Sequence, residues 1–378
     1  MSLFDKVREQ IKKNAEMKKQ GKYIGIPMPF AKLGEFIPTI DKGQSIGILG
    51  GTGVGKSLFT RYLFIYSVYE FYKKTGYPVR VLFFPLEDNP QKVYRFFLQH
   101  YLDKEHGIRI TTRELDSKAD RMLPDFVQDV LDESDEYFKD FEKIVKIMDV
   151  GNKPSSIYDA CEKYALRAGK VNEEGKYESD IHLIGVFDNL SNLDEQGYTS
   201  EKNAMTVFSR DYVREKLVNF YNFTCVSVLQ ADFQTERQQF SSNGESVVGK
   251  LEPSLASVGE SKTITRSMHL VYSLFAPYRY DILQYPKPPK TDVDNCYNIE
   301  LMKNKFISLK VIKSNDSEVG IRVGLFVDYM NGNFIELPSP KTDELRRFYQ
   351  TLTKDYKPYT KQKMLEIVTS DDEDLPFS

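Results

Sequence analysis

Eight residues, Gly50-Gly51-Thr52-Gly53-Val54-Gly55-Lys56-Ser57, constrain this chain more than any other stretch. They follow the apolar run Ser45-Ile46-Gly47-Ile48-Leu49 and precede Leu58-Phe59-Thr60-Arg61-Tyr62-Leu63, so a strand, a glycine-rich loop and a helix come in succession. The spacing G-x-x-x-x-G-K-S lets small residues wrap backbone N–H groups around an anion at a helix N-terminus. In such a loop Lys56 reaches the outer phosphates of a nucleoside triphosphate and the Ser57 hydroxyl holds Mg²⁺. ATP and Mg²⁺ are the expected cofactors.

Around this motif the hydrophobic pattern alternates between two periods. The loop strand Ser45–Leu49 leads to an expected helix Ser57–Tyr72, and the run Arg80–Leu86 ends at Glu87-Asp88-Asn89-Pro90, whose proline opens a second helix. Strand Ile144–Val150 precedes helix Ser155–Ala168, strand Ile181–Asp188 precedes helix Ala204–Asn219, and strand Thr224–Gln230 closes the series. Strands alternating with helices predict an α/β fold, a mostly parallel sheet flanked by helices. Downstream, Met268–Phe275, Tyr297–Met302, Ser308–Ile312, Gly320–Val327 and Gly332–Leu337 read as strands, and the Asn331-Gly332 turn predicts an antiparallel edge hairpin.

Three segments depart from this alternation. Leu3 to Gln20 places Phe4, Val7 and Ile11 at helical spacing among charges, which is either an amphipathic helix awaiting a partner surface or a frayed terminus. Residues 103–143 are charged and helical in type, an expected excursion that leaves the sheet and returns. From Ala231 to Ser261 the chain is rich in Gln, Ser, Gly and Glu and reads as a long loop.

The 378 residues allow a full core, and a net charge of −3 gives no global basic field, so contact with nucleic acid would depend on local Lys and Arg. Cys161, Cys225 and Cys296 and the four histidines show no ligand spacing, which predicts neither a zinc site nor a disulfide frame. No apolar run approaches a bilayer's thickness and the start lacks a secretory signal, so a cytoplasmic protein without membrane contact is expected.

Hydrolysis needs a second Mg²⁺ anchor and a group that orients water. Asp188 ends the apolar run Leu183-Ile184-Gly185-Val186-Phe187 at the sheet edge where ligands bind in such folds; its alternative is a strand-end turn residue. Glu87 would polarise water if its strand neighbours the loop strand, and otherwise would be an acid favoured at a helix N-terminus. Gln230, ending strand Thr224–Leu229, would sense the outer phosphate or merely start a loop.

Taken in order, these segments resemble the RecA-like ATPase core of DnaB-type, superfamily-4 replicative helicases, a P-loop NTPase fold. The resemblance runs from about Gly25 to Leu337. It is carried by Gly25-Ile26-Pro27 with Pro29-Phe30 and Leu33, the phosphate loop, Phe83-Phe84-Pro85-Leu86-Glu87 and Val186-Phe187-Asp188-Asn189-Leu190. Further along it includes Ser209-Arg210, Val228-Leu229-Gln230, Gly259-Glu260-Ser261 and Leu309-Lys310-Val311-Ile312-Lys313. It implies that Glu87 orients water, Asp188 holds Mg²⁺ and Gln230 couples the nucleotide to the rest of the molecule. It also implies a homo-oligomer, ring or filament, in which Lys313 completes a neighbour's site. Family members usually carry an arginine two residues beyond that lysine, where this chain has Asn315, so Lys313 would act alone as a point charge.

The family's channel loops map onto Leu193–Asn203 and the region after Gln230, making Lys202, Arg237, Lys250 and Lys262 the expected single-stranded-DNA contacts. The acids Asp194, Glu195, Glu236, Glu245 and Glu252 stand in the same loops, which is also how ordinary solvated loops look. The sequence divides into residues 1–24 as a linker helix, 25–340 as the ATPase core and 341–378 as a C-terminal extension. Its end, Ser370-Asp371-Asp372-Glu373-Asp374-Leu375-Pro376-Phe377-Ser378, looks like the acidic tip of bacterial single-stranded-DNA-binding proteins, which would recruit replication proteins; the alternative is a solubilising tail. The expectation is a helicase motor from a phage or mobile element. Its rivals are a recombinase-like filament and a non-motor ATP-binding switch or assembly protein.

Overall fold

Strand β1, Ser45–Gly50, is buried at every position, which is what an apolar run does when both faces of a sheet are covered. The computed structural model describes residues 2–118, 120–195, 197–231, 252–255, 262–287 and 295–353. Eight further strands join β1 in one sheet: β2 Val79–Pro85, β3 Val145–Ile147, β4 His182–Asp188, β5 Thr224–Gln230, β6 Leu270–Phe275, β7 Phe306–Ser314, β8 Arg322–Asp328 and β9 Asn333–Glu336. Their order is β9-β8-β7-β6-β1-β5-β4-β2-β3. From β6 through β3 neighbours run parallel, and β7, β8 and β9 add an antiparallel edge.

The two faces of this sheet carry separate cores. One gathers Ile46, Ile48, Phe59, Phe64 and Tyr272, and the other Leu49, Leu82, Phe84, Phe187 and Phe208. The alternation of β1 residues between them, Ile48 on one face and Leu49 on the other, follows from the two-residue repeat of a strand. A third cluster of Phe275, Tyr285, Tyr297, Phe306, Leu337 and Leu345 lies beside the antiparallel edge.

Several expectations change in detail. The helix after the phosphate loop is α2, Lys56–Arg61, continued by a π-helical stretch Tyr62–Tyr66 and a last segment Ser67–Thr75. Strand β3 is three residues long, not seven. Tyr297–Met302 is a two-residue strand followed by a helical turn, because Asn298 accepts from the Leu301 N–H and caps that turn.

Helix α3, Pro90–His106, begins behind an Asn89 cap with proline in its first turn. The charged segment after it does not stand away from the sheet. Helices α4, Asp125–Asp132, and α5, Asp135–Ile144, turn Val127, Phe138 and Phe141 into the first core. There Phe141 packs against Tyr69 and Phe97 with ring centroids 4.9 and 5.2 Å apart. Helix α1, Leu3–Lys19, has a full capping box at Ser2 and Asp5, yet Phe4, Val7 and Ile11 are 70%, 50% and 63% exposed. An apolar stripe that finds no core in its own chain leaves the helix with a single long-range ion pair, Lys6 to Glu174 at 3.3 Å, among the described residues.

Candidate active site

The phosphate loop turns from β1 into α2 through two glycines in the left-handed region, Gly53 at φ +68° and Gly55 at φ +92°. Side chains rarely tolerate that conformation, so the glycines of the motif are a backbone requirement here. Gly55 is the residue before α2, which aims the free N–H groups of the helix at the loop's interior.

Lys56 is 8% exposed, and its ammonium donates to the Gly50 and Gly51 carbonyls at 2.9 and 2.8 Å. The Ser57 hydroxyl donates to Asp188 Oδ1 at 2.9 Å. Those two oxygen ligands come from positions 131 residues apart and converge at one point, which is the arrangement a small, hard cation bridging to phosphate oxygens requires. The site therefore fits Mg²⁺, with Ser57 and Asp188 as its protein side.

Asp188 is 6% exposed, and its carboxyl is pushed up to about 6. Burial is the largest cause; the Arg61 guanidinium and the Ser57 hydrogen bond pull it down, while Glu87 and Asp88 push it further up. Glu87 thus lies close enough to share the field of Asp188, although its strand does not neighbour the loop strand. β5 and β4 stand between β1 and β2, and the link is made instead by the pairing of Pro85 with Asp188 and by the Leu86 N–H donating to the Asp188 carbonyl at 2.6 Å. Glu87 itself is exposed in the turn before α3.

Gln230 is paired with Gly50 across β5 and β1, and its amide donates to the Thr52 hydroxyl at 2.9 Å. Lys313 lies at the other end of the sheet, paired with Val271 at the start of β6. Its ammonium donates to the carbonyls of Thr265 and Arg266 at 2.9 and 3.0 Å and to that of Met268. Within one chain it does not approach the phosphate loop. Lys202 lies in the helix Glu201–Val207 and Lys262 is the first residue of the helix Lys262–Ser267. Arg237, Lys250 and the C-terminal tail lie outside the described residues.

Two residues at the loop carry no mark in the sequence. The Arg279 guanidinium donates to the Thr52 carbonyl, and a methyl placed on Gly53 would meet it at 2.8 Å. Tyr329 lies on the other side, where a methyl on Gly55 would meet its Cε1 at 3.5 Å. Arg279 follows the end of β6 and Tyr329 follows the end of β8. The Asn331-Gly332 turn announces the hairpin that carries Tyr329 but not where its tip lands. A cation and an aromatic ring flanking a phosphate loop can hold a planar base between them.

No family model matches this chain, and no curated protein does. Solved structures do. A helicase ATPase domain is similar with a TM-score of 0.60 and 16% identity, over 89% of this chain and 100% of that one. A structure of a DnaB-like replicative helicase and its interactions with primase is similar with a TM-score of 0.63 and 16% identity, over 89% of this chain and 68% of that one. With its parallel sheet, its antiparallel edge and its phosphate loop between β1 and α2, the chain has the RecA-like fold of a DnaB-type helicase ATPase domain.

Proposed function

We propose that this chain hydrolyses ATP as a DnaB-like helicase motor acting on single-stranded DNA in replication. The observation that carries the reading is the Ser57–Asp188 contact of 2.9 Å at the mouth of the phosphate loop, in a fold shared with helicase ATPase domains. Backbone N–H groups of the loop and of the first turn of α2 bind the phosphates. Lys56 exchanges the Gly50 and Gly51 carbonyls for the outer phosphates. Ser57 and Asp188 hold Mg²⁺, which supplies charge neutralisation at the phosphates. Glu87 orients the attacking water, and Arg279 with Tyr329 takes the base. Gln230, tied to Thr52, reads the state of the loop and passes it to the segment beyond β5.

Oligomerisation fits the same reading. The exposed Phe4, Val7 and Ile11 stripe of α1 docks on a second copy, and Lys313 projects toward the neighbour's outer phosphate. Lys202, Arg237, Lys250 and Lys262 follow the DNA backbone, and the segment Asp371 to Phe377 recruits replication proteins. The test is ATP turnover with and without single-stranded DNA, together with displacement of a labelled strand from a forked duplex. DNA-stimulated turnover with strand displacement supports the motor. Turnover without any DNA effect at low salt overturns it in favour of a switch, and strand pairing without displacement overturns it in favour of a recombinase filament.

A further inference from the structure

Arg61 is the fifth residue of the segment beginning at Ser57, so the two side chains share one face of α2. It is 5% exposed, its Cζ lies 4.3 Å from the centre of the Phe96 ring, and its Nε has no hydrogen-bond partner. The structure gives this guanidinium no salt-bridging carboxylate within contact distance among the described residues. A buried cation in that condition is costly unless its charge answers an opposite charge nearby. The opposite charge is at hand, because Arg61 acts on Asp188 and Asp188 in turn feels Glu87 and Asp88. Three carboxylates thus gather at the floor of the phosphate site, with Arg61 beneath them.

We propose that Arg61 is a built-in counter-ion that keeps free divalent metal out of the empty site, so that Mg²⁺ enters together with the nucleotide. This rests on the reading of the loop as a nucleotide site. Without Arg61, the Asp188, Glu87 and Asp88 carboxylates and the Ser57 hydroxyl would form an uncompensated set of hard oxygen ligands, which is what a divalent cation selects. With Arg61 in place, an incoming Mg²⁺ meets a fixed positive charge. The four phosphate charges of the nucleotide outweigh it, and the metal is accepted as the nucleotide complex. Phe96 has the task of holding the guanidinium in position, since the ring face favours the cation without neutralising it. Arg61 is therefore a positioning residue for the metal site and touches neither phosphate nor metal.

The experiment titrates Mn²⁺, followed by its paramagnetic signal, into the full chain without nucleotide. The parent is expected to show no saturable site near Asp188. Arg61→Gln is expected to gain one, at least about tenfold tighter than any binding by the parent, as removal of a unit charge from a partly buried cluster requires. Arg61→Lys, which restores the charge, should exclude the metal as the parent does. The gained site should vanish in Arg61→Gln combined with Asp188→Asn. Equal Mn²⁺ binding by parent and Arg61→Gln overturns the proposal, and so does a saturable, Asp188-dependent site in the parent, a measurement that needs no folded Arg61 variant. Binding of a fluorescent ATP analogue by the parent is measured alongside. Its absence would sink the nucleotide reading, while normal analogue binding with unchanged metal binding would sink only the role of Arg61.

Discussion

The Gln230 side chain donates to the Thr52 hydroxyl across 2.9 Å, joining the end of β5 to the crown of the phosphate loop. Gln230 and Gly50 are register partners, so anything that moves the loop is felt at the exit of β5 without an intermediary. Gln230→Ala should leave nucleotide affinity within about twofold of the parent, because one neutral hydrogen bond at an exposed site contributes little. It should remove the increase in turnover caused by single-stranded DNA. A Gln230→Ala protein that DNA stimulates as strongly as the parent would take the coupling role away from this residue.

Lys56 and Glu87 divide binding from chemistry. Lys56→Ala should abolish binding of an ATP analogue, since the ammonium is the main side-chain charge on the phosphates. Glu87→Gln should bind the analogue normally and lose about 10²–10⁴ in turnover, the range for a positioned general base. Steady-state turnover with analogue binding on the same preparations separates the two, and a Glu87→Gln enzyme at the parent's rate excludes Glu87 from catalysis.

The Lys313 prediction concerns two copies of the chain. If Lys313 serves a neighbour's site, Lys56→Ala and Lys313→Ala subunits, each inactive alone, should recover part of the activity on mixing, because mixed assemblies contain sites with both lysines intact. Mixtures as inactive as the separate proteins, under conditions where oligomers form, would return Lys313 to the role it has in one chain, fastening β7 to the carbonyls at the end of the helix Lys262–Ser267.

Acid should destabilise the fold through two buried histidines. Burial lowers His100 to about 4 and His182 to about 3. Each folded value lies below the ordinary value of 6.5, so the folded chain takes up these protons less readily than the unfolded chain. The stability they contribute is present above pH 6.5 and is lost as pH falls toward 4 and 3, at about 1.4 kcal/mol per unit, so roughly 3 kcal/mol or more for each. Asp188, raised to about 6, works in the opposite direction and offsets part of the loss. His100 stacks flat on Tyr66 with centroids 3.6 Å apart, so His100→Phe keeps a ring there and removes the titration. Urea unfolding between pH 7.5 and 4.5 should show a flatter pH dependence in His100→Phe; an unchanged slope would clear His100 of any part in it.

Local pattern and tertiary placement contributed different things to this protein. The strand, loop and helix around Gly50–Ser57, the parallel alternation and the antiparallel edge were legible because each depends on a short-range period or on a residue with one backbone use, such as Gly53 and Gly55 at positive φ. Asp188 and Gln230 were legible as polar ends of apolar strands. Which strands stand side by side was not. β2 turned out to be separated from β1 by two strands, and Glu87 reaches the site only because Pro85 pairs with Asp188. Arg279 and Tyr329 reach the loop from positions more than 200 residues beyond it, through the placement of β6 beside β1 and the reach of the β8–β9 hairpin. Arg61 reads in the sequence as an ordinary helix arginine; its burial against Phe96 and its charge beneath Asp188 exist only once α2 and α3 are packed. Periodicity fixes which face of an element is apolar, whereas the partner of each face is settled by which strands and helices bury the most surface together.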